Sequence, residues 1–180
     1  MSVFTEKELE YLAGQRLGRI ATVGADGQPH VVPTSFRYSP EYDAIEVGGL
    51  RMSQTKKVRD VRHGGRAAIV VDDVLPPWQP RMIEIRGTAE VVPSGGKAFG
   101  NNFEDTIVRI RPRRIISYGI NPGEQTASAR SVDILGVIRR AGCPARPAGL
   151  PRAVRPRLPG GSGGRARPRS PARQAAGRTG

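Results

Sequence analysis

Met82-Ile83-Glu84-Ile85-Arg86-Gly87-Thr88-Ala89-Glu90-Val91-Val92 is the longest stretch in which apolar and charged residues alternate, and its reading decides the fold. A period of two puts Ile83 and Ile85 on one face of a strand and Glu84 and Arg86 on the other. Gly87 interrupts it with no side chain to pack, the mark of a bulge or bend in a curved sheet. Pro93-Ser94-Gly95-Gly96 then breaks the strand. Downstream, residues 106–111 and 114–118 read as two closing strands. Upstream, residues 66–72 form a buried strand, and Val74-Leu75-Pro76-Pro77-Trp78-Gln79-Pro80 reads as a loop because proline donates nothing to a ladder. Further upstream, residues 17–23, 30–38 and 44–49 form a meander with turns at Ala25-Asp26-Gly27-Gln28 and Ser39-Pro40-Glu41-Tyr42-Asp43. Thr5-Glu6-Lys7-Glu8 is a capping box that opens a short helix ending at Gly14. A second helix spans 53–63, with Val58 and Val61 on one side and Gly64-Gly65 at its end. About six strands and two small helices predict a mainly β chain closed as a split β-barrel.

The 180 residues carry a formal net charge of +13. Eleven arginines and no acidic residue lie between 137 and 180, leaving 18 basic against 16 acidic residues elsewhere. A basic chain invites a nucleic-acid reading, but the body that could build a site is almost neutral. No aromatic residue follows Tyr118, and Arg, Ala, Gly and Pro make up 34 of the last 44 residues. Such a stretch cannot bury enough apolar surface to offset its ordering entropy. The expected organisation is a folded domain over residues 1–120 and a disordered tail over 121–180. The residue types that dominate the tail have GC-rich codons, so it resembles DNA translated in an unselected frame, a frameshift product. The alternatives are an evolved electrostatic tail that binds nucleic acid non-specifically, although it has no aromatic residues on which bases could stack, and an ordered extension.

Other classes are excluded directly. No run of about 18 apolar residues exists to span a membrane. The N-terminus has neither the positive nor the apolar region of a secretory signal, so a cytoplasmic protein is expected. Cys143 is the only cysteine and lies in the tail, which excludes a disulfide framework within one chain and a cysteine-rich zinc site. His30 and His63 are the only histidines. They have no metal-ligand spacing and no Ser or Asp partner in a hydrolase motif, and read as surface or strand-end residues.

The second helix opens with Ser53 and Thr55 and carries Lys56, Lys57 and Arg59. Hydroxyl donors, free backbone N–H groups, the positive end of a helix dipole and mobile cations together suit a phosphate. A solvated basic face has the same composition, and the residues alone leave both readings open. The meander, Pro29-His30-Val31-Val32-Pro33, the strand ending Val47-Gly48-Gly49, and Ser53-Gln54-Thr55-Lys56-Lys57-Val58-Arg59-Asp60-Val61 resemble, in their order and spacing, the pyridoxamine-phosphate-oxidase-like split-barrel superfamily. Within it they look most like the small actinobacterial branch that uses the deazaflavin coenzyme F420. The resemblance covers residues 3–118.

That resemblance implies an FMN-binding-like split barrel with two or three short helices, working as a homodimer with cofactor grooves at the interface. Its Lys-x-Arg-Asp pattern assigns the coenzyme phosphate to Lys57, with Arg59 and Ser53 assisting and Lys56 beside them. Val31, Val32, Pro33 and Thr34 would lie along the deazaflavin ring, where a proline frees backbone groups for the heterocycle edge; the plain alternative is an edge strand. Gly48 and Gly49 would let ring or phosphate approach the backbone, or form a simple turn. Trp78 would stack on cofactor or substrate, or cover the barrel's end.

The implied activity is hydride transfer from reduced F420 to an electron-poor C=C bond. The cofactor then carries the chemistry, so no nucleophile is needed and no catalytic side chain is assigned. Tyr38 qualifies as a proton donor only through its place near a strand end. The alternative in the same fold is an FMN-binding oxidase or flavin reductase. The C-terminal Arg and His region of true pyridoxamine-phosphate oxidases has no counterpart, so vitamin B6 oxidation is not expected. An apolar wall at Val31, Val32 and Pro33 beside Pro76-Pro77-Trp78 suits a flat, conjugated, apolar acceptor. The branch includes reductases acting on dehydrotetracyclines late in polyketide antibiotic biosynthesis; the alternative is a generalist quinone or xenobiotic reductase.

Overall fold

In the computed structural model, which describes residues 2–121, 123 and 126–132, Thr5 caps helix α1 (Glu6–Gly14). Its hydroxyl accepts from the Glu8 N–H at 3.3 Å, and the Glu8 carboxylate accepts from the Thr5 N–H at 2.9 Å. The expected capping box is therefore closed in both directions. Strands β1 (Gly18–Val23), β2 (Pro29–Ser39) and β3 (Ala44–Gly48) form the antiparallel meander. A single 3-10 turn, Met52–Gln54, precedes α2 (Lys56–Gly64), so the helix begins three residues later than its polar opening suggested. Gly65, at φ 60°, stops it in the left-handed conformation, donating its N–H to the Val61 carbonyl at 2.8 Å.

Strands β4 (Arg66–Leu75) and β5 (Gln79–Val92) pair as far as Leu75 opposite Gln79. The loop expected over 74–80 is thus only the three-residue tip Pro76-Pro77-Trp78. Pro76 and Pro77 fall where the ladder needs no donor. The two expected closing strands are one, β6 (Ile107–Tyr118), which continues across Pro112. It does so through a bulge: Arg86 faces Arg114 but Gly87 faces Pro112, leaving Arg113 as the extra residue. Only glycine fits at position 87, because a Cβ there would lie 1.9 Å from the Arg111 carbonyl oxygen.

The strands run in the order β3-β2-β1-β4-β5-β6, and β3 returns to β6 with Ile45 opposite Ile110. This closes a six-stranded antiparallel barrel, as the curved-sheet reading required. Beyond Ile110, β6 leaves β3, and from Arg114 it pairs with β7 (Ser128–Ser131). Strand pairing therefore extends past Tyr118, the last strand residue expected from sequence, and past the expected boundary at 120. The signal for β7 lies far away: Arg130 donates to the Glu8 carboxylate at 2.8 and 2.5 Å and to the Val3 carbonyl at 2.8 Å. From residue 133 onward the expected tail, Cys143 included, lies outside the described residues.

Alternating positions fill the barrel with Ile20, Ile69, Ile83, Ile85, Ile110 and Ile115, all fully buried. On β3 the other face is closed as well. Glu46, 1% exposed, accepts from Arg109 at 2.8 Å and Arg37 at 2.5 Å, and the Arg109 guanidinium lies 3.5 Å from the Tyr42 ring centre. No helix among the described residues is long and apolar enough to cross a membrane.

Candidate cofactor site

Helix α2 lies against β1 and β5 through Val58 and Val61, which turns Lys57 and Asp60 inward with them. Asp60 accepts from the Thr22 hydroxyl of β1 at 2.7 Å and from the Lys56 ammonium, one turn back, at 2.9 and 3.1 Å. His30 Nδ1 of β2 stands 3.8 Å from the same carboxylate. Burial opposes ionisation of Asp60, but the Thr22 hydroxyl and Lys56 outweigh it and hold the carboxyl below its usual range. Lys56, assigned from sequence to the cofactor, is therefore engaged within the chain.

Lys57 differs. The residue is 8% exposed, and among the described residues no carboxylate or hydrogen-bond acceptor meets its amine. No fully buried side-chain nitrogen among them lacks a partner, so the Lys57 ammonium opens to the surface while its stem is enclosed. Burial lowers its pKa. A cation held this way gains from an incoming anion. Arg59, on the exposed side of α2, donates to the Gln54 carbonyl at 3.0 Å and has no carboxylate partner among the described residues.

The remaining sequence assignments are spread out. Glu104 holds Ser53, accepting from its N–H at 3.0 Å; the Ser53 hydroxyl and then its N–H are the main causes keeping that carboxyl below its usual range. An acidic side chain of the chain itself thus fills the cradle expected to help bind phosphate. A Cβ at Gly48 would lie 2.9 Å from the Phe99 ring, so that ring takes the space its missing side chain leaves. Thr34 is buried, and its hydroxyl donates to the Gly48 carbonyl at 3.4 Å. Val31, 62% exposed, and Pro33, also exposed, stand on the outer face of β2, with Val32 partly buried against the core. Trp78, 76% exposed at the β4–β5 tip, covers no barrel end. Tyr38 is committed elsewhere: its hydroxyl donates to Asp43 Oδ1 at 2.8 Å, and burial raises its pKa.

Sequence reasoning missed Asp60, Thr22 and Glu104. The four-residue spacing of Lys56 and Asp60 is the ion-pair spacing of a helix and could have shown that Lys56 is taken. It also missed a groove of about 910 Å³ lined by Arg66 and Arg113. These residues lie on separate strands and share no local signal.

A closed six-stranded ring crossed by a short helix, with a nearly enclosed lysine in its first turn that has no partner among the described residues, defines a split-barrel domain. The chain belongs to the pyridoxamine 5'-phosphate oxidase family, whose sequence model matches residues 4–119. It is 43% identical to the 5a,11a-dehydrotetracycline/5a,11a-dehydrooxytetracycline reductase of Streptomyces rimosus, over 73% of this chain and 93% of that protein. Among solved structures it resembles a conserved hypothetical protein of Mycobacterium tuberculosis, with a TM-score of 0.54 and 20% identity over 67% of this chain and 88% of the other. It also resembles a heme-binding protein of Mycobacterium smegmatis, with a TM-score of 0.53 and 16% identity over 73% of this chain and 60% of the other. At those identities the two structures establish the fold.

Proposed function

We propose that the chain is a reductase that uses reduced coenzyme F420 to reduce a conjugated C=C bond in a planar enone or quinone-like acceptor, with a dehydrotetracycline-type intermediate of antibiotic biosynthesis as its physiological substrate. The observation that carries the cofactor half of this reading is Lys57, a nearly enclosed lysine with no carboxylate beside it among the described residues. The 43% identical reductase of Streptomyces rimosus supports the substrate half. When bound, F420 supplies a hydride. The chain's own residues bind and orient. Lys57 takes the coenzyme phosphate, Arg59 assists from the next position on the exposed side, and Ser53 stays with Glu104. Val31 and Pro33 offer an apolar outer wall to a flat ring system. The chain acts as a homodimer, which would shelter Val31 and Trp78; sedimentation at micromolar concentration tests this.

Parallel fluorescence titrations with F420 and with FMN test the cofactor. The expected result is binding of F420 that weakens sharply in Lys57→Ala. Preference for FMN, or F420 affinity unchanged in Lys57→Ala, would overturn the reading. Oxidation of reduced F420 by a dehydrotetracycline, menadione or a coumarin-type lactone then tests the acceptor. A marked preference for the tetracycline skeleton is expected.

A further inference from the structure

On the outer face of the barrel, beside the C-terminal end of α2, runs the groove of about 910 Å³, within the range of about 300–1,000 Å³ usual for small-molecule sites. None of the residues assigned to the phosphate or the ring wall lines it. Its floor is small and apolar. Ala21 of β1 stands opposite Ala68 of β4, and Gly87 of β5 continues the floor opposite the β6 bulge, where no side chain fits. The rim carries two cations, Arg66 at the start of β4 and Arg113 of β6, with His63 at the end of α2 beside them.

Two observations set these arginines apart. No Asp or Glu lines the groove, and among the described residues neither Arg66 nor Arg113 has a carboxylate partner. Arg86, which also lines it, is held by Glu84 at 2.7 and 2.9 Å. Moreover, Arg113 is the extra residue of the bulge, and bulges re-aim a side chain that regular alternation would direct elsewhere. The irregularity in the barrel wall thus coincides with a guanidinium at the groove.

We infer that this groove is the acceptor site, and that the acceptor it fits is a planar polycyclic acid. Its ionised enol or carboxylate pairs with Arg66 and Arg113, and its rings lie over Ala21, Ala68 and Gly87. The inference rests on the reductase reading and names that reading's substrate class. A guanidinium fork matches a planar, delocalised oxyanion, whereas an uncharged quinone meets only the apolar floor. The groove therefore discriminates between acceptors by charge as well as by shape.

The test uses tetracycline as the acidic probe, followed by its own fluorescence in EDTA with the cofactor-free protein. Arg66→Gln and Arg113→Gln are each expected to weaken tetracycline binding roughly tenfold, the scale of one charge-assisted hydrogen bond. F420 affinity should stay at the wild-type level, and menadione turnover should fall less than tetracycline binding. Ala68→Leu, which fills the floor without touching a charge, should weaken tetracycline and menadione alike. The inference is overturned if wild-type protein does not bind tetracycline, if both Gln variants bind it normally, or if they lose F420 affinity instead, which would give the groove to the cofactor. Failure of the wild type to bind F420 would sink the reductase reading, while the tetracycline measurement still decides the groove.

Discussion

α1 and α2 are each nine residues long, and each begins after a threonine, Thr5 and Thr55. Thr5 caps its helix, and Glu6 and Glu8 in the first turn complement the positive end of the dipole. The Thr55 hydroxyl turns back to the Met52 carbonyl at 2.7 Å and caps nothing in α2. The first turn of α2 has no acidic residue and carries two lysines, each unfavourable there by about 0.3–1 kcal/mol. Asp60 offsets the charge of Lys56; nothing among the described residues does so for Lys57. At its N-terminus α1 obeys the local rules of cap and charge. The other helix breaks them at the residue best placed to meet an anion, as expected where a binding role competes with stability.

The largest effect should come from taking apart the satisfied helix. Glu8→Ala strands Arg130 and removes half the capping box, and we expect a loss of about 3 kcal/mol in urea unfolding. Truncation after Asn121 removes Arg130 and β7 and should lose a similar amount, whereas truncation after Val132 should leave the midpoint unchanged. Equal stability of the two truncations would break the contrast.

Next in size is the unsatisfied helix. Lys57→Ala should weaken F420 binding by about 1.5–3 kcal/mol, the scale of a charged hydrogen bond, without loss of stability. Arg59→Ala should do less.

The helices should also respond to pH in different windows. Burial alone would raise the Glu8 pKa, but Arg130 and the Thr5 N–H hold it below the usual value. Its folded value lies under the unfolded one, so its stabilisation is full above the ordinary carboxylate range and is lost as pH falls through the folded value. Glu8→Gln should flatten that acid limb. Lys57 is also lowered, but by burial alone, so its charged form destabilises the fold. Stability should rise, and anion affinity fall, as pH climbs through the window below the ordinary lysine value. Lys57→Met should remove both trends, measured by unfolding and by F420 titration.

The smallest comparison sharpens the caps themselves. Thr5→Ala should cost about 1 kcal/mol, and Thr55→Ala at most a few tenths, because only the first hydroxyl caps its helix.

What could be read in the chain was local. The Thr5 capping box, the alternation around Ile83 and Ile85, and the bend at Gly87 each depend on neighbours within a few residues, and all three stand in the structure. Pairings across the barrel were not legible. Pro76 and Pro77 suggested a loop, yet the ladder runs up to their edges because β4 and β5 hold each other on both sides of the tip. Arg130 meets Glu8 across 122 positions, in a stretch whose composition promised nothing. At the candidate site, sequence grouped Ser53, Lys56 and Lys57 as one basic cluster. Their separate engagements, with Glu104, with Asp60 and with no acid among the described residues, depend on which helix face meets β1 and on a loop fifty-one residues away.

The clasp between Glu8 and Arg130 also imposes an order on synthesis. α1 leaves the ribosome before the strands that follow it, and its helical conformation can form early because its cap is local. The Glu8 carboxylate in its first turn must wait for the last described strand before it acquires a cation. Until then the barrel can close through β3 and β6, and α1 can dock through Tyr11 and Gln15 on Asp73, but its buried Glu8 has no cation. This tie is made only after all six barrel strands have been translated, so a nascent chain stalled before Arg130 would hold a closed barrel over an uncompensated Glu8.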